Sequence, residues 1–116
     1  MAARSLTVLY GNVLVDGVFA FLEKQVPWAT PLLEKIRVLI DGNLPALHKY
    51  QTAKGLSEIS PANVQQFVDS MFALAATLES GNLFLVAALQ SLNAFVDAAL
   101  LPQLIAYLES IGVVTP

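Results

Sequence analysis

From Leu83 to Leu108 the chain carries a single charged residue, Asp97, among leucines, alanines, valines and phenylalanines. A helix crosses a bilayer with about 20 residues, so the stretch is long enough to span. Whatever fold it joins must bury it on most sides or leave a large apolar surface for something else to cover. Gln90, Asn93, Asp97 and Pro102 interrupt the run, and an ionised aspartate near mid-bilayer costs about 2.5 to 3.5 kcal/mol. A membrane-embedded helix is therefore the weakest of three expectations developed below.

No alternating run bounded by turn signals competes for a strand, and the punctuation is that of helices. The opening "MAARSLTVLYGNVLV" has no acid before Asp16 and loosely resembles a targeting segment. It lacks a convincing small-x-small cleavage site and is amphipathic, so a first helix is expected from about Arg4 to Gln25, before Pro27. Thr30-Pro31 has the form of an N-cap with proline at the first helical position, where the missing amide costs nothing. That helix should reach Asp41 and break at "DGNLP", with a short continuation from Leu44 to Lys54 closed by Gly55. Ser60-Pro61 repeats the signal and opens a helix to about Glu79, with Gly81 as its terminal glycine. The last helix starts after Asn82 and runs to about Ser110, and Pro102 inside it predicts a kink, because Leu101 is a poor cap for a fresh start. The expected class is all-α: an antiparallel bundle of about four helices, kinked at Pro102, with residues 1–116 forming one domain.

Charge is scarce. Only 13% of residues are charged and 56% are hydrophobic, against about 25% charged in an ordinary soluble domain. All six bases (Arg4, Lys24, Lys35, Arg37, Lys49, Lys54) fall before residue 55, with Asp16, Glu23, Glu34 and Asp41; the remainder has five acids and no base. Nucleic acid is excluded as a partner, since phosphate binding needs clustered Lys and Arg. With no cysteine, disulfides, zinc-thiolate sites and thiol chemistry are excluded as well.

One spelling recurs in the most apolar regions. "NVLVDG" at 12–17 and "NAFVDA" at 93–98 share Asn-x-x-Val-Asp, and "QQFVD" at 65–69 is a variant. Residues four apart share a helix face, so Asn12 lies beside Asp16, Gln65 beside Asp69 and Asn93 beside Asp97. Two readings follow. Either these are solvent faces of a bundle, or the stripes face one another and fix register between helices or subunits. The second requires hydrogen-bonding partners such as Arg4, Arg37 or the amides themselves, because an unpaired buried carboxylate is costly.

Enzymatic chemistry is not expected. His48 is the lone histidine and lies in no E-x-x-H pattern, no nucleophile elbow surrounds a serine, and no phosphate loop is present. No cofactor or metal is expected. Trp28, in "VPWATP", reads as a plug at the end of a bundle, or as an interface anchor if the chain meets a membrane. The fragments "FAFLEKQVPW" and "HKYQTAKG" resemble pieces of the helical repeats of peridinin-chlorophyll proteins, at a different spacing, and that resemblance implies an apolar ligand between helices. The expectation is a non-catalytic structural or accessory subunit that packs its apolar surface against copies of itself or other chains. A lipid- or pigment-binding helical protein and a small membrane-embedded subunit follow it; the sequence leaves the localisation open, with a membrane-associated assembly as one expectation for the subunit.

Overall fold

A computed structural model describes the backbone of residues 4–5 and 8–114, and the side chains of residues 12–114. The chain is all-α in substance. Helices α1 (Val8–Gln25), α2 (Thr30–Asp41), α3 (Leu44–Ala53), α4 (Val64–Leu78), α5 (Leu83–Phe95) and α6 (Leu101–Ser110) account for most of it. Its Cα radius of gyration of 13.1 Å matches the roughly 13 Å of a compact chain of about this length.

Three expectations change at the helix starts. Arg4 and Ser5 form a two-residue strand, β1, paired antiparallel with β2 (Glu58–Ile59), so α1 begins at Val8. Two residues of pairing leave no sequence periodicity, which is why no strand was expected. Thr30 does not cap α2: a 3₁₀ turn over Pro27–Ala29 runs directly into the helix, and Thr30 is its first residue. At α4 a 3₁₀ turn over Pro61–Asn63 again comes first, so the α-helix begins at Val64, but Ser60 is the N-cap of that turn with Pro61 behind it, as expected. There the side chain of Asn63 accepts from the Ser60 amide at 2.8 Å and donates to the Glu58 carbonyl at 2.7 Å. Those bonds tie the helix start to β2. Asn82 does cap α5, accepting from the Leu85 amide at 3.1 Å.

Gly55 ends α3 in the left-handed region at φ 80, and the Leu56 amide reaches back to the Gln51 carbonyl at 2.8 Å. Such a closure suits glycine because a Cβ is disfavoured there. Between α5 and α6 the helix does not stop. Residues Val96–Leu100 widen into a π turn, and Pro102 follows in the first turn of α6. The widened turn accommodates a proline that would otherwise meet the carbonyl four residues back.

α1 packs against α2, α3 and α6, and α4 packs against α2, α3 and α5. Among the described residues the buried side chains form one hydrophobic cluster, with Phe19, Leu22, Leu33, Ile36, Phe67, Met71, Leu89 and Leu104 fully enclosed. Each such side chain contributes roughly 1.5 to 3 kcal/mol by leaving water. Phe19 meets Phe72 at 6.0 Å and Phe21 meets Tyr107 at 5.5 Å between ring centroids. α1 approaches α6 closely because residue 17 is glycine: a Cβ there would lie 3.0 Å from Ile111 Cδ1 and 3.5 Å from Leu108 Cδ2.

Candidate interaction surface

The Asn-x-x-Val-Asp positions occupy two junctions between helices. At the first, α1 supplies Asn12 and Asp16, and α2 supplies Glu34, Arg37 and Asp41. Arg37 holds Glu34 with two hydrogen bonds, Nε to Oε2 at 2.8 Å and Nη2 to Oε1 at 3.2 Å, and its Nη1 donates to Asp41 at 3.1 Å. The same Nη1 lies 3.6 Å from Asp16 Oδ1, an ion pair rather than a hydrogen bond. With its amide oriented to donate, Asn12 bridges Asp16 Oδ2 at 3.3 Å and Asp41 Oδ1 at 3.0 Å.

One guanidinium cannot neutralise this many acids. Burial, followed by the facing Asp16 carboxyl, pushes Asp41 up to about 6 although Arg37 opposes it. Partial burial and then Glu34 raise Glu23 in the same way, whereas hydrogen bonding from Arg37 holds Glu34 below the usual carboxylate range. Arg4, the other cation expected to serve the acids, lies outside the residues whose side chains are described.

At the second junction no cation opposes the shift of Asp97, although Lys54 lines the same pocket as Asp69. Asp69 on α4 faces Asp97 in the π turn, within hydrogen-bonding reach, with Gln65 also beside Asp97. Burial first, then Asp69, push Asp97 up to about 7, and hydrogen bonding from Gln65 only partly offsets them. Buried oxygens of Asp69, Asp97 and Asn93 have no hydrogen-bond donor, and no base follows Lys54 in the chain. Burial and the facing Asp69 carboxyl both favour the protonated form of Asp97. All six residues singled out by the motif thus lie at helix-helix junctions, and the structure brings Asn12 and Asp16 together, and Gln65 with Asp69 and Asp97.

Sequence reasoning missed Asp41, the acid nearest to Asn12. Its signal was present in the spacing of Glu34, Arg37 and Asp41, three and four apart on one face. It also missed the buried bond between Gln51 and Ser70, Nε2 to Oγ at 2.7 Å.

The outward face of the same region is apolar. Leu83 is 77% exposed, Phe84 91% and Phe95 47%. Trp28 is 79% exposed, so it does not plug the bundle. It stands instead at the rim of an apolar groove of about 350 Å³ between the start of α2 and α5, lined also by Leu32, Ala88, Ser91, Leu92 and Phe95. No charged side chain lines that groove. The continuous helix Leu83–Ser110 spans 28 residues, yet only 17% of its most apolar window is buried.

Comparison with protein-family models, curated proteins and solved structures gives no match. The likeness of residues 19–28 and 48–55 to pigment-protein repeats gains no support from it. Among the described residues no group of three or more His, Asp or Glu side chains is placed to hold a metal ion.

Proposed function

We propose that the chain is a non-catalytic structural or accessory subunit, an antiparallel helical bundle bent at Pro102 that assembles through the outer face of α5. The observation that carries the reading is the exposure of Leu83, Phe84, Phe95 and Trp28 around one uncharged groove. Side chains of this size contribute roughly 1.5 to 3 kcal/mol each when they leave water. An apolar patch of this kind on an isolated chain is the mark of a surface that something covers. The junction acids supply orientation: charged and amide side chains between helices make only one packing register acceptable.

A second reading is favoured by one observation, the 28-residue length and low burial of Leu83–Ser110. In it the same face contacts lipid. Native mass spectrometry of the chain purified without detergent separates the two. A defined oligomer of bare protein supports the subunit. A chain dispersed only with lipid or detergent refutes it in favour of membrane insertion, and a monomer carrying a reproducible apolar adduct refutes it in favour of ligand binding.

A further inference from the structure

Resting on that assembly reading, we infer that the partner covering α5 is a second copy of this chain, docked antiparallel so that Phe84 of each copy fills the groove of the other. The argument begins with spacing. Phe84, Ala88, Ser91 and Phe95 are separated by four, three and four residues, which places all four on one stripe of a helix. The order four, three, four reads the same in both directions. A two-fold axis midway between Ala88 and Ser91 therefore sets Phe84 against Phe95 of the second copy and Ala88 against its Ser91. Self-complementarity of this kind is what a two-fold interface demands, because residue i must meet j while j meets i.

Size and chemistry agree with the spacing. The small residues sit at the centre of the stripe, where two helix backbones must approach most closely, and the rings stand at its ends. Phe84, 91% exposed, projects from a helix whose other ring, Phe95, lines a groove of about 350 Å³ with Trp28 and Leu32. That groove is large enough for a phenyl side chain and carries no charge to match with a charged partner. Nor does α5 itself hold a charged residue, so nothing repels a second copy. One helix thus carries both the projection and part of the recess that receives it.

The test combines sedimentation velocity with directed cross-linking of the full chain. Wild type should show a dimer that dissociates on dilution. Phe84→Glu, at a site too exposed to disturb folding, should keep the helical circular dichroism and weaken dimerisation about 100-fold or more, since the dimer contains the contact twice. Because the chain has no cysteine, Leu83→Cys and Ala94→Cys leave both rings in place and report orientation. In the antiparallel pair the mixed positions lie within about 3 Å along the helix axis, whereas like positions are about 20 Å and 14 Å apart. A short thiol cross-linker should then join Leu83→Cys to Ala94→Cys chains and neither to itself. Cross-linking of like chains, or a dimer indifferent to Phe84→Glu, overturns this pairing while leaving assembly through another geometry standing. A wild type that stays monomeric at all concentrations overturns the second copy as partner, and native mass spectrometry then decides whether the subunit reading falls with it.

Discussion

Replacing Asp97 by asparagine should make the protein more stable above neutral pH and flatten its pH dependence. A carboxyl whose folded value lies above its unfolded one binds its proton more tightly in the folded chain. Its stabilising contribution is therefore complete below about pH 4 and is lost as pH rises through about 7. From an ordinary 3.8 to about 7 for Asp97, the full linkage is about 4 kcal/mol at 1.36 kcal/mol per pH unit. The pair is only part buried and water screens it, so about half, ~2 kcal/mol, should survive. On a chain of this size that is roughly 6 to 10 °C in Tm. Asp97→Asn keeps the volume, cannot ionise, and can donate its amide to Asp69. Thermal or urea unfolding at pH 5 and pH 8 should show wild type losing most of that difference and the variant losing much less. Asp41, raised to about 6, acts with the same sign in both proteins, so the difference between the two slopes isolates Asp97. Equal slopes would refute the raised Asp97 carboxyl, and with it its packing against Asp69.

Four shorter predictions come from other contacts. Arg37→Gln removes the cation between Glu34, Asp41 and Asp16; it should lower the urea midpoint at pH 7 and lower it less at pH 5, below the raised value of Asp41, as unfolding at both values would show. Gly17→Leu pushes against Ile111 and Leu108 and should cost roughly 1 to 3 kcal/mol, whereas Gly17→Ala should be close to neutral, its better helix propensity offsetting a contact that the end of the Ile111 side chain can relieve. Gln51→Leu should change stability by less than about 1 kcal/mol: it removes a buried amide oxygen that has no partner, while Ser70 keeps its bond to the Phe67 carbonyl at 2.6 Å. Trp28 is the single tryptophan and exposed in the isolated chain, so its fluorescence should shift to the blue as concentration rises through assembly and stay red in Phe84→Glu.

Helix positions were legible because proline, glycine and asparagine mark boundaries through local chemistry. Pro27, Pro31, Pro61, Gly55 and Asn82 all lie where the chain changes element. What they did not reveal is the form of each start, since a 3₁₀ turn and a capped α-helix place the same proline a few residues apart. The Asn-x-x-Val-Asp pairs were legible as faces and not as contacts. Period gives which residues share a stripe, but nothing in the spelling of 93–97 says that Asp97 meets Asp69 rather than water. The π turn was equally hidden, being a response of the backbone near Pro102 to its neighbours. Trp28 was legible only as a plug or an anchor, because an indole between prolines fits a buried plug and an exposed rim equally well; its exposure removes the plug.

The scarcity of charge connects the two junctions with the bare outer face. The chain has nine acids, and six of them, Asp16, Glu23, Glu34, Asp41, Asp69 and Asp97, sit at the contacts of α1 with α2 and of α4 with the π turn. Asp16 and Glu34 still keep nearly half of their side-chain surface in water, whereas α5 carries no charge at all. Asp69 on α4 and Asp97 in the π turn meet beside α5, whose rings and small residues present an uncharged outer surface. Loosening the junction should therefore weaken assembly without touching the surface. Asp69→Lys places a cation beside Asp97 and replaces two facing carboxyl groups by an ion pair. If sedimentation velocity shows that variant dimerising like wild type at pH 6 and pH 8 alike, the junction holds the helices together but does not set the face they present.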